Sequence, residues 1–354
     1  MNAAPRILII RLSSLGDILH TLPALASLRA AYPDATIDWL VSKKCALLPS
    51  AVKGIDAVHS LDTGALVRLP PDASAWHAVW TLIRSLRAAH YDFCIDFQGL
   101  LKSALLGAVS GAACRLGFSG DLVRERPAHW FYHKTLAKPR TPVHVLELNR
   151  MLAALAGALP APVSCGFKAP EDDQRHVESL LKEKRLDDFV VINPGGLWPT
   201  KRWSPEKYGI LAKKIHRELG LRVAVTTGPG EENLYQVIAD VCRDEAPVHL
   251  PVSFLQLIPL FERAKLLVGG DTGPFHLACA LRTPVVGIFG PTSPVRNGPW
   301  RPGDEVVMHS LPCSACHGRT CPAATECMEI AVEEVFSAVV RRLQRGRSPV
   351  EEDF

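Results

Sequence analysis

The chain alternates short apolar runs with longer amphipathic segments, and it does so twice. The run "RILIIRL" precedes "DILHTLPALASLRAAYP", in which apolar residues recur every three or four positions. A charged segment, Phe167 to Asp188, follows a proline-rich stretch, and the alternation restarts with "FVVINPGG". Strands that alternate with helices form parallel sheets covered on both faces. The pattern predicts an α/β chain of two Rossmann-like domains, 1–165 and 166–354, whose parallel sheets face a central cleft.

Composition narrows the class of protein. The chain has 354 residues, 47% hydrophobic and 21% charged, which suits two packed domains and excludes disorder. A net charge of +4 gives no argument for nucleic acid as a partner. No apolar run approaches the roughly 18 residues of a spanning helix, and the N-terminus is typical of a strand, not a signal peptide. We expect a cytoplasmic protein, with peripheral contact with the inner membrane surface left open and the oligomeric state not predicted.

The first candidate motif is "SSLGD", directly after the apolar run "ILII". Gly16 permits a tight turn close to a ligand, and Asp17 falls near a helix N-terminus, where the dipole stabilises its charge. Ligands of parallel sheets bind at the carboxyl ends of strands. We therefore interpret Asp17 as a group that takes a proton from a bound hydroxyl; the alternative is an ordinary acidic first-turn residue. Lys102, in "DFQGLLKSA", faces the same rim, and its alternative is a solvated lysine.

Two glycine-rich loops predict phosphate and ribose contacts. In "INPGGLWPTKRW", a strand ends at Pro-Gly-Gly, and backbone amides with Lys201 suit a diphosphate. In "TTGPGEEN", Glu231 or Glu232 is placed to bond a ribose hydroxyl, as an acidic residue does in dinucleotide folds. The alternative for the first loop is a turn with exposed basic residues, and the alternative for the second is an acidic helix start. The second loop lacks a complete dinucleotide or P-loop fingerprint.

The motif "GGDTGPFHLACAL" places Asp271, Thr272 and Gly273 between a strand and a helix. Free amides at that helix start favour an anion. His276 lies on the same helix, and its alternative is a packed core histidine. The Asp-Thr-Gly triplet also occurs in aspartic proteases, which need two carboxylates that share a proton. A second such triplet occurs at Asp62–Gly64, but the alternation of strands and helices is wrong for an aspartic protease, so we set that class aside.

Four of the ten cysteines cluster in "CSACHGRTCPAATEC", at Cys313, Cys316, Cys321 and Cys327. Close thiolates in a reducing compartment can hold zinc or an iron–sulfur cluster, here as a structural clip. The alternatives are thiols that belong to the local fold, or an oxidation-sensitive pair.

Together these motifs resemble the bacterial lipopolysaccharide heptosyltransferases of glycosyltransferase family 9. "SSLGDILHTLPAL" with "DFQGLLKSA" is most similar to the heptosyltransferase I branch, and "NPG", "KRW", "DTG" and "GPT" are shared more broadly in the family. The resemblance implies the GT-B type of fold. It implies that domain 1–165 binds the acceptor and domain 166–354, with its cysteine-rich segment 313–327, an ADP-sugar. It also implies a final helix that crosses back to the N-terminal domain.

Site residues follow from the resemblance by position. The catalytic base is Asp17. The donor-binding residues are Lys201, Glu231, Glu232, Asp271, Thr272, Gly273 and His276, with the choice between the two glutamates open. The acceptor-binding residues are Ser14, Gly16, Lys102 and Arg124.

The implied reaction is an inverting transfer of heptose from ADP-heptose to a Kdo residue of the lipopolysaccharide inner core, with a lipid A acceptor. No cofactor is required, apart from the zinc or iron–sulfur alternative at the cysteines. Two other functions stay open at this point: a heptosyltransferase II type of enzyme with a different acceptor, and a redox or binding protein that works through a metal at its cysteine cluster.

Overall fold

The protein is described from a computed structural model, which covers residues 4–64, 73–161 and 166–346. The chain divides between Lys168 and Ala169 into two compact units, called unit 1 and unit 2. The boundary predicted at residue 165, and the outer domain limits 1 and 354, lie outside the described residues. Within those residues, no helix has both the length and the apolar character needed to cross a membrane.

Unit 1 contains one parallel sheet in the order β3-β2-β1-β4-β5-β6. Its strands are β1 (Arg6–Ile10), β2 (Thr36–Ser42), β3 (Ala57–Leu61), β4 (Phe93–Asp96), β5 (Cys114–Phe118) and β6 (Lys134–Leu136). Its helices are α1 (Leu15–Leu19), α2 (Leu22–Ala31), α3 (Leu47–Ser50), α4 (Ala73–Ala88), α5 (Leu101–Val109) and α6 (Val145–Ala154). Short 3-10 turns span Lys43–Cys45 and Arg126–Phe131.

Unit 2 repeats this design with the order β12-β11-β10-β7-β8-β9. Its strands are β7 (Phe189–Asn193), β8 (Arg222–Val225), β9 (Val248–His249), β10 (Leu266–Gly270), β11 (Val285–Phe289) and β12 (Glu305–Met308). Its helices are α7 (Glu171–Glu183), α8 (Pro205–Leu219), α9 (Glu232–Cys242), α10 (Leu257–Arg263), α11 (Gly273–Ala280), α12 (Pro294–Asn297) and α13 (Val332–Gln344). Its 3-10 turns span Pro199–Lys201, Arg243–Glu245 and Glu326–Met328.

The two sheets share one strand topology. In each unit the first strand lies beside the fourth, so the direction of winding reverses between β1 and β4 and between β7 and β10. Strands β1 and β7 are almost wholly apolar and buried, as strands covered on both faces must be. Ligands of such sheets bind outside the carboxyl ends of the strands at this reversal. The loops after β1, β4, β7 and β10 are therefore the places to examine for a site.

Local signals in the sequence explain most element ends. Ser204 accepts a hydrogen bond from the Lys207 amide at 3.3 Å, and Gly220 has a φ of 66° after α8, so these two residues cap the helix at its start and end. The segment after β1 differs from the prediction, because it forms two helices, α1 and α2, instead of one. Pro23 explains the break, since proline lacks an amide hydrogen and is favoured in the first turn of a new helix.

The final helix, α13, packs on α8, β11 and β12, all within unit 2. Its buried Val335 and Val339 join the core of that unit. Arg342 is also buried, and its Nε donates to Asp304 Oδ1 at 2.7 Å. The apolar face of this helix covers the sheet of unit 2, and its predicted crossing to the first domain stays a prediction.

Candidate active site

Asp17 lies in the first turn of α1, at the reversal point of unit 1. Its Oδ1 is 2.6 Å from Nη2 of Arg11, and its Oδ2 accepts from the amide and the hydroxyl of Ser14 at 3.0 and 2.9 Å. Arg11 is buried and also donates to the Phe97 carbonyl, directly after β4. Gly16 is the second residue of the same helix. The structure thus brings Ser14, Gly16 and Asp17 into one turn and adds Arg11, which the sequence analysis did not select.

The surroundings of Asp17 keep it charged. Burial raises the pKa of this carboxyl, but the Arg11 charge and the Ser14 hydrogen bonds outweigh it, so the pKa lies well below the ordinary value of 3.8. The side chain still has 24% of its surface exposed. Asp17 is therefore an ionised carboxylate, fixed in direction, that a ligand hydroxyl can reach.

A hydrogen-bond network that the sequence analysis missed connects the loops after β1 and β4. Gln98 Oε1 accepts from the amides of Leu12 and Ser13 at 3.0 and 3.1 Å. Asp96 in turn accepts from the Gln98 amide at 2.8 Å and from the Tyr132 hydroxyl at 2.7 Å. Burial raises the pKa of Asp96, although these hydrogen bonds oppose the rise. The motif "DFQG" contains Asp96 and Gln98, but the residues they bond, at positions 12, 13 and 132, are distant in sequence.

The two predicted acceptor-side cations lie on adjoining segments of unit 1. Lys102 is in the first turn of α5, and Arg124 follows β5; both are exposed. Glu125 Oε2 accepts from the Leu101 amide at 2.7 Å, which brings the two segments together. Within residues 4–64, 73–161 and 166–346, neither cation forms a salt bridge. Both are thus available to an anionic ligand.

Lys201 and His276 converge on Asp271 at the reversal point of unit 2. Lys201 Nζ donates to Asp271 Oδ2 at 2.8 Å, and His276 Nε2 lies 2.7 Å from Asp271 Oδ1. Asp271 is 4% exposed. Burial raises its pKa, but the His276 hydrogen bond and the Lys201 charge hold that pKa well below its usual range. Asp271 is therefore a buried anion that fixes the direction of the Lys201 ammonium.

Both Asp17 and Asp271 link stability to pH. A carboxyl whose folded pKa is depressed stabilises the fold above its unfolded pKa, and this stabilisation is lost as pH falls through the folded pKa. For these two groups the loss begins near 3.8, their ordinary value. We expect the free energy of unfolding in urea to fall steadily below about pH 4. Urea titrations from neutral to acid pH measure it; a flat profile in that window contradicts the depressed pKa values.

The loops after β7 and β8 are joined by Glu231. Its Oε1 accepts from the Gly196 amide at 2.9 Å and from Arg202 Nη2 at 3.0 Å, and its Oε2 accepts from the Gly228 amide at 3.0 Å. Glu232 instead accepts only a local amide, at 3.2 Å, and is exposed. Of the two glutamates that the sequence left open, the structure therefore brings Glu231 to the loop that carries Lys201.

The loop after β10 opens α11, with Thr272 as its N-cap and Gly273 as its first residue. The Thr272 hydroxyl is buried and has no hydrogen-bond partner among the described residues. A Cβ on Gly196 would lie 3.2 Å from Thr272 Cγ2, so the glycine loop approaches the helix start closely. Unpaired helix amides and the helix dipole favour an anion here.

The sequence analysis missed the connection between the donor-side loop and the cysteine-rich segment. The Thr200 hydroxyl donates to the Gly318 carbonyl at 2.8 Å. The Trp198 ring has Lys201 Nζ 4.5 Å and Arg319 Cζ 4.8 Å from its centroid. The contacts of Gly318 and Arg319 span more than a hundred positions, so no local pattern could have indicated them.

The four clustered cysteines line one small cavity, which Thr200 also lines. Cys313 and Cys316 are exposed, whereas Cys327 is buried. Burial and the neighbouring Cys321, Cys316 and Cys313 raise the pKa of Cys327. In the described part of the chain, no three His, Cys, Asp or Glu side chains are arranged to hold a metal ion. The zinc or iron–sulfur alternative therefore stays a prediction, as does the alternative of thiols that belong to the local fold.

Comparison with known proteins gives consistent matches. The profile of glycosyltransferase family 9 (heptosyltransferase) matches residues 79–326. Lipopolysaccharide heptosyltransferase 1 of Pseudomonas aeruginosa is 30% identical over 331 residues, covering 89% of this chain and 87% of that protein. The structure of E. coli heptosyltransferase WaaC with ADP aligns at 25% identity with a TM-score of 0.75, covering 95% and 99% of the two chains. WaaC with ADP-2-deoxy-2-fluoro heptose aligns at 25% identity with a TM-score of 0.72, covering 96% and 99%.

Proposed function

Because this chain belongs to glycosyltransferase family 9, the heptosyltransferase family, we propose that it transfers heptose from ADP-heptose to a Kdo residue of the lipopolysaccharide inner core, carried on lipid A. The chain is a glycosyltransferase. One observation carries the finer proposal: Lys201 is fixed on the buried Asp271 beside a helix start, in a unit whose fold matches WaaC, which has been solved with ADP. The name of the Pseudomonas relative supports the lipopolysaccharide acceptor.

The donor is held by unit 2. The Lys201 ammonium and the first amides of α11, at Thr272 and Gly273, contact the diphosphate of the ADP-sugar. An ammonium has three donors, and Asp271 occupies part of that set while directing the remainder. Glu231 bonds the ribose through its carboxylate. These contacts strengthen as negative charge develops on the departing ADP, which is where electrostatic catalysis acts.

The acceptor is activated by unit 1. Asp17 accepts the proton of the acceptor hydroxyl. As that proton leaves, the hydroxyl oxygen bonds to the anomeric carbon of the heptose, from the face opposite the diphosphate. The bond from that carbon to the diphosphate oxygen breaks, and ADP leaves with the electron pair. Since the pKa of Asp17 is depressed, the proton moves only as the new bond forms and the hydroxyl becomes acidic. Exposed Lys102 and Arg124 hold the acidic acceptor.

Charge on Asp17 gives the reaction a characteristic pH profile. A base with a depressed pKa is ionised throughout the neutral range, so its protonation lowers the rate only below about 3.8. We expect kcat/KM to show no acid limb from Asp17 between roughly pH 5 and 8. Initial rates across that range measure it. An acid limb near neutrality that moves in an Asp17→Glu variant contradicts this assignment.

The two adjacent glutamates form a matched pair for the donor site. We expect Glu231→Gln to weaken ADP binding about tenfold, because the amide neither bonds the ribose as well nor holds the Gly196 and Gly228 amides together. Glu232→Gln is the control and leaves ADP binding unchanged, since Glu232 bonds only locally. Isothermal titration with ADP measures both. The reverse ranking assigns the ribose to Glu232.

The decisive test is ADP release from ADP-heptose with and without a Kdo–lipid A acceptor. Acceptor-dependent release supports the proposal. Release only with an already heptosylated core favours a heptosyltransferase II type of activity. Absence of ADP binding contradicts the donor assignment.

A further inference from the structure

Helix α4 of unit 1 exposes two tryptophans on one side. Trp76 is 50% exposed and Trp80, one turn later, is 61% exposed. Arg84 and Arg87 continue the same stripe and are exposed as well. We propose that this stripe, the Trp76–Arg87 face, docks unit 1 on the surface of an anionic phospholipid bilayer. The inference rests on the proposed function, because that function gives the enzyme a lipid-borne acceptor.

The exposed tryptophans lie on the side of α4 away from the core. On the other side of α4, Leu82 and Leu86 are buried in the core of unit 1, with Val79 packed against them. A scattered apolar side chain on a surface is ordinary, but adjoining large ones mark an interaction site. Trp76 and Trp80 are adjoining, since residues four apart lie on one helix face. Their apolar surface therefore points to a partner outside the core.

The chemistry of the face fits a bilayer surface. Indole rings concentrate at membrane interfaces, where the apolar ring is buried and the N–H stays near water. Arginines beside them meet anionic headgroups. Residues 73–88 contain no aspartate or glutamate, so nothing on α4 repels an anionic surface. A helix with one face in the core and an aromatic and cationic face outside can lie in the plane of the interface.

The position of the face fits the proposed reaction. Helix α4 ends shortly before β4 begins, so its last turn lies at the amino edge of the sheet and its first turns extend toward the carboxyl edge. The helix has 16 residues, about 24 Å at 1.5 Å each, which exceeds the length of the neighbouring strands. Trp76 and Trp80 therefore lie toward the edge that carries Asp17. Docking there presents Asp17 to a sugar whose acyl chains stay in the bilayer.

Vesicle binding of the full chain tests the inference directly. Wild type is sedimented with vesicles of phosphatidylethanolamine and phosphatidylglycerol, and with vesicles of phosphatidylcholine alone. We expect the wild type to bind the anionic vesicles. The double variant Trp76→Ala/Trp80→Ala should bind them with an affinity about tenfold lower. The control is Leu159→Ala, which removes an apolar side chain elsewhere in unit 1 that is 76% exposed, more than either tryptophan, and keeps wild-type binding. Equal thermal unfolding midpoints establish that the variants fold.

Two acceptors separate this inference from the proposed function. On a vesicle-embedded acceptor the double variant loses activity, and on a deacylated, soluble acceptor it keeps the wild-type rate. A wild type inactive on both contradicts the proposed function, while the sedimentation result still decides the inference. If the double variant binds anionic vesicles as well as the wild type does, the membrane inference is overturned. Light scattering measures the oligomeric state. If the wild type is a dimer, the double variant is a monomer and neither binds vesicles, the face contacts a second copy of the chain and the membrane inference is overturned.

Discussion

Replacing Asp17 with asparagine is expected to lower kcat by about 10²–10⁴-fold, the contribution of a well-placed general base, while ADP binding is retained. Asparagine keeps the size of the side chain and can still meet Ser14, but its neutral amide takes no proton from the acceptor. ADP binding survives because the donor residues Lys201, Glu231 and Asp271 belong to unit 2. Transfer rates and ADP titration on the same preparation measure both quantities.

The matched control is Asp56→Asn in the same unit, which removes a carboxylate 2.8 Å from Arg29 and is expected to leave kcat unchanged. Asp17→Asn also leaves the buried Arg11 without its anion, so a lower free energy of unfolding accompanies the loss of activity. The rate is therefore measured well below the unfolding midpoint of the variant. If Asp17→Asn loses ADP affinity and keeps kcat, Asp17 binds the sugar donor and is not the base for the acceptor.

Lys201→Ala is expected to weaken ADP binding by about 10–100-fold, the worth of a hydrogen bond to a charged group. The alanine removes the ammonium from the diphosphate and leaves Asp271 facing the ligand with one cation fewer. That buried carboxylate then repels the phosphates, which adds to the loss. Titration with ADP, and with adenosine as a ligand without phosphates, measures the effect, and adenosine binding should change little.

Lys207→Ala is the control for Lys201, because it removes another lysine of unit 2 whose partner, Glu329, is exposed. Its ADP affinity should equal that of the wild type. Lys201→Arg keeps the positive charge but changes the shape of the hydrogen-bonding group, so we expect an ADP affinity between those of the wild type and Lys201→Ala. An unchanged ADP dissociation constant in Lys201→Ala excludes contact between Lys201 and the diphosphate.

The fold was predictable because its signals are local. The apolar run of β1 and the capping residues Ser204 and Gly220 each act within one element. The break between α1 and α2 was missed although Pro23 stood in the sequence, because the apolar spacing continued through it. Periodicity reports the buried face of a segment, and it does not report where the backbone changes direction.

The candidate site was predictable only where residues follow strand ends. That rule selected Asp17, Lys201 and Asp271 before any contact was visible. It could not select Arg11, whose pairing with Asp17 depends on the backbone of the turn between them. The role of the clustered cysteines stays open for a related reason, since cysteine spacing says nothing about which thiols are exposed and which are buried.

The shared strand order of the two sheets gives each unit its own place for ligand-binding loops. Each unit has its own reversal point and holds its own functional side chains there, Asp17 in one and the Lys201–Asp271 pair in the other. If the loops after β1, β4 and β5 hold the acceptor, as proposed, substitutions there change which molecule is glycosylated and leave the donor loops of unit 2 intact. On that proposal, chimaeras joined at the Lys168–Ala169 division combine the acceptor residues of one enzyme with the donor residues of another.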